Sequence, residues 1–431
     1  MPNLQIIENP EKQDWTALLA RPEYHSDTLD KKVRGILDGV KKNGDKAVEE
    51  YSKQFDNIGL ANPMAVESEF DEAEDKLEEG FKAALRQAKQ NIEKFHNNQL
   101  IPEPEVETQP GVRCWRKSVA IEKVGLYIPG GSAPLFSTLL MLGVPARLAG
   151  CEEIIICTPP QQDGTTHPAI LYAAKLTGIR KLFRVGGVQA IAAMAYGTET
   201  IPQVFKIFGP GNQWVTHAKK IIQQEGIAID MPAGPSELAV YADETAIPAY
   251  VAADLLSQCE HGPDSQTILV TNSRDFAEKV NGQLNIQIEE LPRKSIAEKS
   301  LQNSKIFLVP DSETAMDLLN IYAPEHLILA CQGAEQLAKK VRNAGSVFIG
   351  NFAPESAGDY ASGTNHTLPT NGFARAYSGV SVDSFVKKIS FQHVTREGLD
   401  VIGNTVIEMA QAEGLQAHAE AIKIRLLKPK A

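Results

Sequence analysis

The sequence predicts an α/β protein made of two units with parallel sheets, followed by a helical C-terminal end. Three observations carry that expectation. From about residue 119 short β-branched runs alternate with stretches of helical period, and three glycine-rich junctions sit where strands give way to helices. A Pro/Gly-rich segment, DMPAGPSE (Asp230 to Glu237), splits the alternation into two series. Strand–helix–strand alternation argues for parallel sheets, because a parallel neighbour is reached only through a crossover.

The elements follow in order. Residues 68–96 carry Phe70, Ala73, Leu77, Phe81, Ala84, Ala88, Ile92 and Phe95 three or four apart, the stripe of one long amphipathic helix. Its start holds Glu69, Asp71, Glu72, Glu74 and Asp75, which suits a helix N-terminus and reads as a solvated face. Strands are expected at Ile154–Cys157, Lys181–Val185, Val204–Phe208 and Ile227–Asp230, with helices over 168–177, 189–196 and 213–224. The second series has strands at Leu238–Tyr241, Thr267–Thr271, Lys305–Val309, His326–Ala330 and Ser346–Ile349, and helices near 248–260, 274–288, 312–321 and 334–343. Asn351–Gly372 shows no periodicity and is expected as a long loop, a length that is usually functional or disordered. The end returns to helix: Leu399, Ile402, Val406 and Met409 form a stripe, Gly414 breaks it, and a short helix runs from Leu415 into the basic KIRLLKPK.

Composition bounds the function. The 431 residues are 43% hydrophobic and 23% charged, ordinary globular usage. A net charge of -11 opposes a nucleic-acid or anionic-membrane partner and leaves a cationic or metal-bound ligand compatible. Cys114, Cys151, Cys157, Cys259 and Cys331 are scattered and odd in number, so neither a zinc ribbon nor a disulfide framework is indicated. The first residues lack a basic and an apolar signal region, and every long apolar stretch is interrupted by Gly or Pro, so a cytoplasmic protein without membrane spans is expected.

The junctions YIPGGSAP (Tyr127–Pro134), VGGVQ (Val185–Gln189) and FGPGN (Phe208–Asn212) can bring backbone N–H groups and helix N-termini against a phosphate. None is GxGxxG, and each alone is more often a tight turn; three at the same end of one unit favour a nucleotide crevice. In SQCEHGPDS, Gln258 and His261 lie three apart at a helix end and share a face, although a His there can also be a C-terminal cap. APEHLIL places Glu325 and His326 before an apolar strand, either an acid/base pair or a solvated loop edge. SAGDYASGTNHTLP offers Asp359 and His366, donors that suit zinc but carry no compact metal signature. Cys259 points off the Gln258/His261 face and reads as packing, and His418 reads as a polar interruption of a packing stripe.

In that order and over residues 30 to 425, YIPGGSAPLFST, FGPGN, DMPAGPSE, DLLSQCEHGPDSQ, PEHLI and ESAGDYASGTNHTLPT closely resemble the histidinol dehydrogenase family. The resemblance implies a zinc- and NAD-dependent four-electron oxidation of L-histidinol to L-histidine through L-histidinal, the last step of histidine biosynthesis, with two NAD+ reduced. It implies one zinc per subunit on Gln258, His261, Asp359 and His418, and a catalytic pair of Glu325 and His326. Substrate contacts would come from Ser236, His366 and Glu413 together with Gln258, His261, His326, Asp359 and His418. Tyr127, Gln189 and Asn212 would line the NAD site. A ligand on the C-terminal helix implies a homodimer whose sites are completed between subunits.

For the fold, the expectation is two incomplete Rossmann-like domains plus a small helical tail region formed by the chain ends. Residues 26–126 and 238–380 would carry most zinc and catalytic residues, and 127–237 the NAD-site turns. Residues 381–431 would be a helical tail reaching the other subunit, and 1–25 an extension packing with it. The runner-up chemistry is a zinc hydrolase using the same His/Asp cluster with Glu325 as base, which leaves the three glycine-rich turns unexplained. A metal- or nucleotide-binding module without catalysis is the third reading, and it gives the acid/base pair no task.

Overall fold

The computed structural model describes residues 3–22, 27–130 and 134–427. The part of YIPGGSAP at 131–133 and the last four residues of the basic end lie outside the described residues.

The chain begins with β1 (Gln5–Glu8) and a short helix, α1 (Trp15–Leu18). Three helices follow: α2 (Asp27–Asp56), bent at Gly44, α3 (Glu67–Asp75) and α4 (Glu79–Asn97). The single helix expected over 68–96 is thus two. Lys76 ends α3 and Glu78 is extended (φ -63°, ψ 144°). Leu77 and Phe81 both pack on the same core across the break, so apolar spacing does not reveal it.

Next come β2 (Val106–Gln109) and β3 (Val112–Ala120), then the first parallel series: β4 (Lys123–Tyr127), α5 (Phe136–Ala149), β5 (Glu153–Thr158), α6 (Pro168–Thr177), β6 (Lys181–Arg184), α7 (Gly187–Tyr196), β7 (Lys206–Phe208), α8 (Gln213–Gln224) and β8 (Ala228–Ile229). These strands form one parallel sheet ordered β6-β5-β4-β7-β8. Both its faces must be covered, which is why its strands read as unbroken apolar runs. Val33, Leu37 and Val40 of α2 join the core on one face, and Phe70, Leu85 and Ile92 of α3 and α4 join that on the other.

The second series is β9 (Glu237–Ala242), α9 (Pro248–Cys259), β10 (Gln266–Thr271), α10 (Arg274–Gln287), α11 (Lys294–Leu301), β11 (Lys305–Leu308), α12 (Ser312–Tyr322), β12 (His326–Ala330), α13 (Ala334–Ala338), β13 (Ser346–Ile349) and α14 (Glu355–Tyr360). Its sheet is ordered β1-β11-β10-β9-β12-β13, all parallel. The segment expected as a structureless loop therefore contains α14. The chain closes with β14 (Val386–Val394), α15 (Arg396–Ala412) and α16 (Gln416–Leu426).

Three expected assignments change. Residues 1–25 do not serve only as an extension of the tail: β1 pairs with β11, Gln5 opposite Lys305, and Trp15 and Leu19 are buried in the core beneath α12. An added strand covers a sheet edge that would otherwise be open. Residues 26–126 do not belong with 238–380, because α2–α4 cover the five-stranded sheet and β4 lies within it. The tail is not wholly helical: β14 runs antiparallel along β3, from Val386 opposite Ala120 to Val394 opposite Val112, and β2 completes a three-stranded sheet.

Candidate active site

The site forms at the amino ends of β9 and β12. The two strands pair with Leu238 opposite His326, so Ser236–Glu237 and Glu325–His326 enter the sheet side by side. Glu325 and His326 are 6% and 4% exposed, which removes the reading of a solvated loop edge. The Glu237 N–H donates to Glu325 Oε2 at 2.9 Å. His326 Nδ1 lies 3.3 Å from the Glu237 carbonyl, which can only accept, so Nδ1 carries the proton. Its Nε2 is buried without a hydrogen-bond partner and faces Asp359 Oδ1 at 3.6 Å.

The last turn of α9 brings in Gln258, buried, and His261 follows just beyond the helix. The other wall is α14, where Glu355 and Asp359, four apart, share a face. Ligand atoms of His261, Glu355 and Asp359 lie within 4.8 Å of one another. With its NH2 turned toward Glu355, Gln258 donates to both carboxylate oxygens, at 3.2 Å to Oε2. His366 Nδ1 donates to the Asp359 carbonyl at 2.9 Å, and its Nε2 lies 3.2 Å from the Thr138 hydroxyl of α5, linking the two α/β units.

The electrostatics are those of carboxylates short of cations. Burial pushes the Glu325 carboxyl up to about 7 and raises Glu355 well above its ordinary range. Burial opposes protonation of His326, but the fields of Glu355, Glu325 and Asp359 outweigh it and push the imidazole up to about 10. Among the described residues, the ion pairs of Glu355 and Asp359 are with His326 alone. An amide oxygen, an imidazole and a carboxylate around an orphaned imidazole nitrogen suit a divalent cation such as zinc. A dication there would cancel the carboxylate field and return His326 toward neutrality.

Two expected residues stand apart. Glu413 and His418, where α15 meets α16, are exposed, with no side-chain hydrogen bond or ion pair to the cluster among the described residues. Glu355 was missed by sequence reasoning; the signal was its i, i+4 spacing from Asp359 inside a segment read as aperiodic. Cys259 is buried, with burial pushing its thiol up to about 11, as packing requires.

A second cavity, of about 1110 Å³, opens at the carboxyl ends of the five-stranded sheet and is lined by Tyr127, Gln189 and Asn212. Tyr127 ends β4 and its hydroxyl accepts from the Gly187 N–H at 3.1 Å. Gln189 donates to Asp56 Oδ2 at 3.3 Å, and Asn212 caps α8 through the N–H groups of Trp214 and Val215. The helix α7 begins at Gly186–Gly187 with no side-chain cap. Gly209 has φ 125°, and a Cβ there would strike the Tyr127 carbonyl, so this glycine serves close packing of β7 on β4.

The histidinol dehydrogenase family model matches residues 19–426. The chain belongs to the histidinol dehydrogenase family. A histidinol dehydrogenase of Bacteroides thetaiotaomicron is 55% identical over 98% of this chain and 99% of its own length. That of Yersinia pestis is 49% identical over 95% of this chain and 92% of its own. The crystal structure of histidinol dehydrogenase from Elizabethkingia anophelis superposes with a TM-score of 0.96 at 51% identity, covering 98% of each chain. In this family setting the α/β architecture with parallel sheets is shared along nearly the whole length of the chain. No described helix is long and apolar enough to cross a membrane.

Proposed function

We propose that the chain, a histidinol dehydrogenase acting in histidine biosynthesis, oxidises L-histidinol to L-histidine through L-histidinal with two NAD+ and one zinc ion per site. The observation that carries the reading is the placement of the buried His326 ring, whose Nδ1 side lies 3.7 Å from the Glu325 carboxyl and whose orphaned Nε2 faces Asp359 at 3.6 Å. Zinc held by Gln258, His261 and Asp359, with His418 from a second copy, would supply a Lewis acid that takes the amino and imidazole nitrogens of histidinol and so orients it.

With Nδ1–H held by the Glu237 carbonyl, His326 presents Nε2 as the base. It takes the carbinol proton while hydride passes to NAD+, giving the aldehyde, NADH and a proton. Glu325, whose raised pKa suits proton exchange near neutrality, activates water that adds to the aldehyde. The hydrate then passes its one carbon-bound hydrogen as hydride to another NAD+ and a hydroxyl proton to His326, leaving the carboxylic acid. Ser236, His366 and Glu413 are the further substrate contacts in this reading, and Tyr127, Gln189 and Asn212 line the NAD cavity.

The homodimer belongs to the same proposal. Val401 and Met409 of α15, Leu415 between the helices and Ile424 of α16 are exposed apolar side chains that a second copy would cover while delivering His418. Mixed chains carrying His261→Ala and His418→Ala should regain activity as heterodimers. Zinc-replete enzyme should release two NADH per histidinol; a yield of one, or none, overturns the four-electron reading.

A further inference from the structure

A buried ion pair lies directly behind the catalytic pair, and neither the donor cluster nor the NAD cavity uses it. Arg21, from the N-terminal segment, grips Glu237 with two bonds, Nε to Oε1 at 2.6 Å and Nη2 to Oε2 at 2.8 Å. The guanidinium also donates to the Tyr322 carbonyl at 2.6 Å and stacks 4.1 Å over the Tyr322 ring. The Asn371 N–H, from the segment after α14, adds a third bond to the Glu237 carboxylate. Glu237 is 1% exposed, and burial raises its pKa against the pull of Arg21, so the carboxylate depends on these partners to keep its charge.

The backbone of this residue holds both catalytic groups. Its N–H meets Glu325 Oε2 at 2.9 Å and its carbonyl meets His326 Nδ1 at 3.3 Å. Glu237 is the first residue of β9, opposite Gln266 of β10, and the ladder to β12 begins at Leu238 opposite His326, so its side-chain grip lies at the end of the strand beside the catalytic pair. We propose that Arg21 and Glu237 are positioning residues: their ion pair fixes the peptide of residue 237, and that peptide sets the orientation of Glu325 and the tautomer of His326. The proposal rests on the roles given to that pair above. The N-terminal segment thereby becomes part of the active-site machinery, which explains why a charged residue from a sheet-edge appendage is buried here.

The test uses full-length, zinc-loaded enzyme. Arg21→Met should lower kcat about 100-fold, the scale on which misplacement by about 1 Å acts, with KM for NAD and bound zinc unchanged. Arg21→Lys, which keeps the charge but not the two-pronged grip, should recover part of the loss. In ¹⁵N-histidine NMR the Nδ1–H signal of His326 should shift in Arg21→Met. A kcat within about threefold of wild type, or a loss matched by an equal loss of zinc or of folded protein, overturns the proposal. If Arg21→Met does not fold, the isosteric Glu237→Gln decides by the same criteria. Wild-type enzyme that makes no NADH from histidinol would overturn the functional reading instead, and the NMR signal would still report whether Arg21 orients His326.

Discussion

The two parallel sheets share one core strand order, yet they present chemistry at opposite ends. In the five-stranded sheet β4 is central, with β5 and β6 on one side and β7 and β8 on the other; in the six-stranded sheet β9 is central, with β10 and β11 against β12 and β13, and β1 is added at the edge. Open α/β sheets bind ligands beyond the carboxyl ends of their strands, where the winding reverses. The first sheet has a cavity in that place, around Tyr127, Gln189 and Asn212. The second places Glu325, His326 and the donors at the amino ends.

Its carboxyl ends do enclose a smaller cavity, about 460 Å³, lined by Tyr241, Asp243, Asn272 and Asp311. There the N–H groups that could meet a phosphate are already held: Asp311 accepts from Thr314 at 2.8 Å and Asp243 from Gln332 at 3.1 Å. The matching helix of the other unit, α7, starts on bare glycine. Equal topologies thus acquire unequal sites through their caps, because a resident carboxylate occupies the helix N-terminus that a pyrophosphate would need.

The largest expected effect is at the amino ends. His326→Gln and Glu325→Gln should each lower kcat about 10²- to 10⁴-fold, the range of a general acid or base, with KM for NAD unaffected. Steady-state NADH formation checks this, and Glu325→Gln should accumulate the aldehyde. A smaller effect sharpens the contrast at the carboxyl ends. Gly186→Asp, which puts a carboxylate at the start of α7 and a Cβ against Pro159, should raise KM for NAD by at least about tenfold, the scale of a charge at a helix terminus, and leave KM for histidinol alone. Asp311→Ala should instead leave both constants unchanged and cost about 1 kcal/mol of stability.

A further effect is in the pH dependence of stability. Burial raises Glu325 to about 7, so the folded protein favours its protonated form. That contribution is present in full below the unfolded pKa of about 4.3 and is lost as pH rises through 7. Zinc-free wild type should therefore lose melting temperature more steeply between about pH 4.3 and 7 than Glu325→Gln does. Parallel slopes would show that Glu325 is not desolvated as described.

Both parallel sheets were legible because strands such as Ile154–Cys157 and Thr267–Thr271 are buried on both faces and read as uninterrupted apolar runs. The antiparallel sheet was not. Most of β14 is exposed, and VKKISFQHV scatters its apolar residues among charges. The position of β1 was equally hidden, since four residues carry too little period to announce a strand. Within the site, Gln258 with His261 and Glu325 with His326 were readable as close pairs. Glu355 needed α14 to be seen as a helix, and Arg21 meets Glu237 only across 216 residues of chain. No local spacing encodes such a contact.

In the proposed function, metal and acid/base chemistry occupy the amino ends of one sheet while NAD occupies the carboxyl ends of the other. A crystal structure with zinc, L-histidinol and NAD, using anomalous scattering at the zinc edge, tests it most directly. The expected result is a zinc peak bonded to Gln258, His261, Asp359 and His418 of a second copy, with NAD against Tyr127, Gln189 and Asn212. Zinc away from those residues, or NAD in the cavity beside Tyr241 and Asn272, would contradict it.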